Sequence, residues 1–318
     1  MSQPIEIALL IYPDAMVSAI YGLSDLFRIS NQIATGHGVN KQIRVSQWQA
    51  KDDGILKSAD THPELPNDPH HIILPPSMVM PAPEQARPVS RWLNDLHTRG
   101  TTVCSVCAGS FVLAEAGLLE GRTSTTHWSF AKDMQARYPN VKVDADRMII
   151  DDGDIITAGG IMAWTDLGLK LVHRIMGPTI MLDTARFLLV DPSGREQRFY
   201  SNFSPQLHHG DTAILKVQHW LQANGAKHVG VMDMAHEAGM EERTFLRRFL
   251  KATGLKPTEY AQQVRVGKAR EMLEFTMQNV DQIAWAVGYE DPGAFRKVFH
   301  KVMGLTPGDY RARFGMGA

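Results

Sequence analysis

The chain has 318 residues, 44% apolar and 21% charged, with a net charge of −1; that length suggests two domains and that composition a soluble globular protein. No apolar run approaches the ~18 residues needed to cross a bilayer, and the opening MSQPIEIALLIYP lacks a basic segment and a small-residue cleavage site, so neither a membrane span nor a signal peptide is expected. The two cysteines, Cys104 and Cys107, exclude a disulfide scaffold and fit a reducing cytoplasm.

In chain order, Ile5–Ile11 (IEIALLI) is a short apolar run closed by Pro13 and predicts a buried strand. Residues 16–33 have helical spacing, with Val17, Ile20, Leu23, Leu26, Phe27 and Ser30 on one side. Ile43–Trp48 and Ile72–Leu74 predict strands, Glu84–Thr98 a helix, Thr102–Val106 a strand, and Gly109–Ala116 a helix stopped by Gly117. Met148–Ile150 and Ile155–Thr157 flank Asp151-Asp152-Gly153-Asp154, a hairpin-type turn, and Ile161–Met176 is again helical. Strands alternating with helices predict an α/β layer with a mainly parallel sheet over residues 1–190. Cys104 and Cys107 have the spacing of a redox or zinc pair, but no second ligand pair accompanies them, and neither a metal nor a cofactor is expected.

From Asp191-Pro192-Ser193-Gly194 to about Gly210 the chain is polar, and 191–212 is read as a linker. Residues 213–318 have helical patterning throughout and carry 15 Lys and Arg against 11 Asp and Glu, so a mildly basic module follows an acidic one. Within it two segments superimpose: Ala235, Gly239, Phe245, Phe249, Gly254, Pro257, Tyr260 and Ala284, Gly288, Phe295, Phe299, Gly304, Pro307, Tyr310. Their gaps are 4, 6, 4, 5, 3, 3 and 4, 7, 4, 5, 3, 3. Such a repeat is a helix-turn-helix used twice. The alanines let two helices approach, the first glycine of each copy supplies a positive-φ turn, and the phenylalanine pair anchors the second helix. A connecting helix from about Pro257 to Phe275 joins the copies. The free face of the second helix carries Arg243, Arg247 and Lys251 in copy one, and Arg296, Lys297 and Lys301 in copy two. Such a face can enter a major groove, with guanidinium groups on base edges and ammonium groups on phosphates. The bland alternative is a helical docking module with a solvated basic face.

IAWAVGYEDPGAFRKVFHKVMGLTPGDYR, residues 283–311, resembles the C-terminal signature of AraC/XylS-type transcriptional regulators. The resemblance covers 213–318 and implies a bipartite binder of double-stranded DNA, with recognition helices at about Glu242–Lys251 and Pro292–Val302. Carried over residue by residue, the base-contacting positions are Arg243, Leu246 and Arg247 in copy one and Gly293, Ala294 and Lys297 in copy two. The second set is poor in base-reading side chains, which points copy two toward phosphate.

The N-terminal region resembles the PfpI-like branch of the class I glutamine amidotransferase-like superfamily, through VCSVCAGSFVLAEAGLLEGRTSTTHW (103–128) and TAGGIMAWTDLGLKLV (157–172). Together the two resemblances imply a GlxA-type regulator: a flavodoxin-like sandwich followed by an all-α double helix-turn-helix domain. In enzymatic relatives a cysteine stands on a tight strand-to-helix turn, where the helix N-terminus makes it a thiolate. Cys107 holds that position. The histidine that follows it in hydrolytic relatives is Ala108 here, the acid near the first helix is Ala19, and the oxyanion-donor loop begins Pro75-Pro76, which have no N–H, before Ser77. The expectation is therefore no catalysis, with Cys107 and His127 as vestiges, and a cleft lined by Cys107, His127, Trp128 and Trp164 that senses a small metabolite, an amino acid or an amine. For each of these the plainer reading stays open: a buried small hydrophobe, a satisfied histidine, core tryptophans. A homodimer on paired half-sites is expected. The rival is a PfpI-like cysteine-dependent hydrolase or lyase carrying a DNA-targeting module.

Overall fold

In β1 (Ile5–Ile11) alternate side chains go to opposite sides of a sheet: Ile7 and Leu9 join one buried apolar cluster, Ala8 and Leu10 another. That is the pattern of a strand covered on both faces, and the continuous apolar run is its sequence mark. The structure, a computed structural model, describes residues 3–51, 54–192 and 195–316; Ser193 and Gly194 of the expected linker lie outside the described residues. The chain divides into two units, one ending at Gln197 and one beginning at Arg198.

In the first unit β1 is followed by α1 (Val17–Gly36), β2 (Ile43–Lys51), β3 (Gly54–Asp60), β4 (His71–Leu74), α2 (Pro83–Thr98), β5 (Thr102–Val106), α3 (Gly109–Glu115), β6 (Thr123–Ser124), α4 (Ala131–Arg137), β7 (Lys142–Val143), β8 (Ile149–Asp151), β9 (Ile155–Ala158), α5 (Trp164–Met176) and α6 (Pro178–Leu188). The main sheet runs β3-β2-β1-β4-β5-β9-β8, parallel except for its two edge strands. Helices α1, α5 and α6 cover one face and α2 with α3 the other. The parallel core has the flavodoxin-like order, and β1 and β4 flank its switch point, the place where open α/β sheets bind their ligands.

The second unit consists of α7 (Thr212–Asn224), α8 (Val231–Glu237), α9 (Glu242–Thr253), α10 (Pro257–Phe275), α11 (Val280–Ala286), α12 (Pro292–Met303) and α13 (Pro307–Phe314), preceded by residues 198–211. No strand occurs in it among the described residues. The repeat is physical. Phe245 stacks on Phe249 and Phe249 on Tyr260, with centroids 5.3 Å apart in both pairs; Phe295, Phe299 and Tyr310 repeat this at 5.7 and 5.5 Å. The connecting helix α10 serves both: Tyr260, Ala261 and Val264 enter the first cluster, Val266, Ala269 and Leu273 the second. Gly239 and Gly288 turn with φ of 64° and 88°, a region glycine enters without Cβ strain. The polar stretch after residue 194 is anchored: Gln197 is buried in the first unit, while Phe199 is buried in the second and Phe203 packs edge-on against Tyr260.

Candidate functional site: the cysteine elbow and the two basic helix faces

Cys107 follows β5 directly and takes φ 53°, the left-handed region, before α3 begins. A non-glycine there costs energy, so the surroundings must hold it. They do: Cys107 N–H donates to Ala158 O of β9 (2.8 Å), and Thr126 Oγ1 donates to Cys107 O (2.9 Å). Gly109 permits the turn, because a Cβ there would lie 2.8 Å from Leu74 O. The elbow therefore sits at the carboxyl end of β5, beside the ends of β1 and β4. Just after β1, Tyr12 Oη donates to Pro75 O (2.5 Å), and Met16 N–H donates to Pro76 O (2.8 Å), pinning the loop after β4 to the start of α1. Ser77 is buried and its hydroxyl is closed on Val79, donating to Val79 O and accepting from Val79 N–H.

The elbow geometry is that of a nucleophile; its electrostatics are not. Cys107 is fully buried, and burial pushes its thiol up to about 11, although the N–H groups of Ala108 and His127 pull the other way. Desolvation outweighs the helix N-terminus, contrary to the thiolate implied by enzymatic relatives. Burial, then the neighbouring Cys107, also raises the Tyr12 phenol. At neutral pH the elbow holds a thiol beside a phenol, and neither is a base. His127 caps the short 3₁₀ turn Trp128–Phe130: its Nδ1 accepts from Ser129 N–H (3.2 Å) and pairs with Ser129 Oγ (2.6 Å). Partial burial lowers its pKa, which favours the neutral imidazole. One ring nitrogen is thus committed to capping.

The four expected cleft residues fall on three elements. Cys107 stands on the elbow, His127 and Trp128 on the loop after β6, and Trp164 at the start of α5, packed against the apolar cluster that contains Cys107. Gly22 of α1 admits the indole: a Cβ there would lie 2.4 Å from Trp164 Cη2. Trp164 Nε1 is buried and has no hydrogen-bond partner among the described residues. No group of three or more His, Cys, Asp or Glu is placed to hold a metal among the described residues. Sequence reasoning missed Tyr12, Thr126 and Gln197. Gln197 Nε2 donates to Thr126 O (2.8 Å) and to Arg147 O (3.0 Å), and its Oε1 accepts from Trp128 N–H (3.1 Å). It lies in a polar stretch without periodicity, so no sequence signal marks it.

In the second unit α9 buries Phe245 and Phe249 and exposes Arg243, Leu246, Arg247 and Lys251. Arg248, between them in sequence, turns away and forms an ion pair with Asp211. Helix α12 buries Phe295 and Phe299 and exposes Gly293, Ala294, Arg296, Lys297 and Lys301. Among the described residues Arg243, Arg247, Lys251, Lys297 and Lys301 have no ion-pair or hydrogen-bond partner. Arg296 differs: its Nη2 lies 2.6 Å from Asp281 Oδ1, so copy two presents two free cations against three. Asp291 caps α12 through Gly293 N–H and Ala294 N–H, holding its N-terminus in register.

Comparison with known proteins fits both halves. Residues 68–174 match the DJ-1/PfpI family and residues 234–313 a helix-turn-helix domain family. The transcriptional regulator CdhR of Pseudomonas aeruginosa is 28% identical over 223 residues, 70% of this chain and 66% of that protein. GlxA of Rhizobium meliloti, also named a transcriptional regulator, is 27% identical over 236 residues, 70% of this chain and 69% of its own. The chain thus spans about two thirds of the length of these relatives. An isonitrile hydratase of Pseudomonas putida is 41% identical over 86 residues, 27% of this chain and 35% of that enzyme. The chain thus joins a region that matches the DJ-1/PfpI family to one that matches a helix-turn-helix domain, and the two relatives similar to it over 70% of its length are named transcriptional regulators.

Proposed function

We propose that the chain is a sequence-specific DNA-binding transcriptional regulator whose DJ-1/PfpI unit binds a small metabolite without turning it over. The observation that carries this is the doubled helix-turn-helix, each copy anchored by a Phe-Phe-Tyr stack and each turning unpaired cations outward. Arg243 and Arg247, one turn apart on α9, suit base edges; Lys297 and Lys301 on α12 suit phosphates. The buried, protonated Cys107 and the capping role of His127 support binding over chemistry. Trp164 Nε1 is a donor awaiting an acceptor, which favours an effector with a carboxylate or carbonyl, as amino acids have. The protein acts as a homodimer in the cytoplasm. A thermal-shift screen of amino acids and methylated amines tests the sensing half. A true effector at ~100 times its Kd adds about 2.7 kcal/mol of stability, and Trp164→Phe, which removes the free N–H, weakens that gain.

A second reading, a cysteine-dependent hydrolase or lyase with an attached DNA-binding unit, is favoured by the left-handed elbow at Cys107. It requires fast alkylation of Cys107 at neutral pH and turnover lost in Cys107→Ala.

A further inference from the structure

The residues that close the first unit are fastened to both walls of the cysteine elbow. Arg195 pairs through Nε and Nη2 with Asp166, a buried carboxylate one turn into α5 and two residues after Trp164. Glu196 forms an isolated antiparallel bridge with Arg147. Gln197 then plunges inward: it is 2% exposed, its N–H donates to Asp146 O (2.9 Å), and its side-chain amide bonds the loop Thr125–Trp128 from behind. Gly159 makes room for it, since a Cβ at 159 would lie 1.9 Å from Gln197 Nε2. The same loop touches the elbow on its other side, where Thr126 Oγ1 donates to Cys107 O (2.9 Å). An unbroken path of hydrogen bonds thus runs Cys107, Thr126, Gln197, and the next residue, Arg198, opens the second unit.

From this juxtaposition we propose that Arg195–Gln197 is a read-out strap: the state of the cysteine elbow fixes the seat of Gln197 and, through the chain that leaves it, biases the DNA-binding unit. The proposal rests on the sensing role of the elbow in the reading above. A buried amide bonded on every side has one good seat and loses several hydrogen bonds if the loop shifts, so the strap is either seated or released. An effector acts through it only if it favours one of them. The account also gives Gly159, in the Gly-Gly pair after β9, a reason to be glycine at a φ any residue could adopt: it is the floor of the Gln197 seat.

The test is a mutant cycle in the full chain, read on a double-stranded fragment that the wild type selects from a random-sequence pool. Gln197→Ala removes the amide, Gly159→Ala pushes it from its seat without altering the strap, and Thr126→Val cuts the bond to Cys107. Each is expected to change affinity at least three-fold in the same direction. Thr126→Val combined with Gln197→Ala should do no more than the larger single change. Amide hydrogen exchange should rise together in 125–128 and 195–199. Effects that multiply, a single substitution without effect, or faster exchange confined to the substituted segment would overturn the proposal. Should Gln197→Ala fail to fold, Gln197→Glu, which keeps the acceptor for Trp128 N–H and loses the three bonds donated to Thr125, Thr126 and Arg147, replaces it with the same readings. No effector enters the cycle, so a failed metabolite screen sinks the sensing reading and leaves the coupling intact, while multiplying effects sink the strap alone.

Discussion

Cys107 shows how one residue can have the backbone of a catalyst and the chemistry of a core side chain. Moving its pKa from 9.0 to about 11 cuts the thiolate fraction at neutral pH roughly 100-fold. Iodoacetamide at pH 7.5 should therefore label Cys107 far more slowly than free cysteine, measured by mass spectrometry of the digested protein; labelling at or above the free-thiol rate contradicts a sealed elbow. His71 gives a second test. It is buried in β4, its Nδ1 has no partner among the described residues, and burial, then Arg174, lowers its pKa from 6.5 to about 4. Below pH 6.5 the unfolded chain takes up a proton that the folded chain refuses, so stability falls as pH drops toward 4. The loss is about 1.4 kcal/mol per pH unit. Denaturant midpoints between pH 6.5 and 4 should flatten in His71→Gln; equal slopes would show that His71 does not carry the acid limb. Of these residues, Cys107 was legible from its place between a strand pattern and a helix pattern. The role of His127 was not, because capping depends on Ser129 two residues on and on a turn that no periodicity announces.

At the scale of elements, regular burial was readable and marginal strands were not. β1 and β5 are buried and mostly apolar, interrupted by Glu6 in one and by Thr102 and Ser105 in the other, and α10 was expected at about Pro257–Phe275, where it occurs, because Pro257 starts it and the repeat frames it. β3 escaped notice since it is an antiparallel edge strand, half exposed, with only Ile55, Leu56 and Ala59 as apolar residues. The two-residue strands β6 and β7 are too short to show a period, and α6 begins at Pro178 after the cap residue Gly177, a start signal without a strong period behind it. The helix expected at Ile161–Met176 is a 3₁₀ turn, Ile161–Ala163, leading into α5. The aromatic stacks make a sharp prediction. Phe299 is fully buried between Phe295 and Tyr310, so Phe299→Ala should cost about 3–5 kcal/mol, read by chemical denaturation of the full chain. Asp291→Ala should cost about 1 kcal/mol through the lost cap of α12. If Asp291→Ala matches the loss in Phe299→Ala, the stack is not what holds copy two together.

Among the described residues no helix is long and apolar enough to cross a membrane, and the unpaired Arg243, Arg247, Lys251, Lys297 and Lys301 stand on two exposed helix faces. The proposed division of labour between the copies follows from their asymmetry, three unpaired cations against two. Arg247→Ala should relax sequence preference and cost about 1–3 kcal/mol on the selected site; Lys301→Ala should weaken every duplex alike. Competition binding on the selected site and on scrambled duplex separates the two outcomes, and a uniform loss for Arg247→Ala would make it a phosphate contact.

The most direct measurement is the affinity of the intact protein for its selected duplex as salt is varied. With Lys251, Lys297 and Lys301 on phosphates and Arg243 and Arg247 on base edges, the slope of log K against log salt is about −3 per chain. A slope near zero, or no measurable affinity for any double-stranded fragment, contradicts the reading of this protein as a DNA-binding regulator.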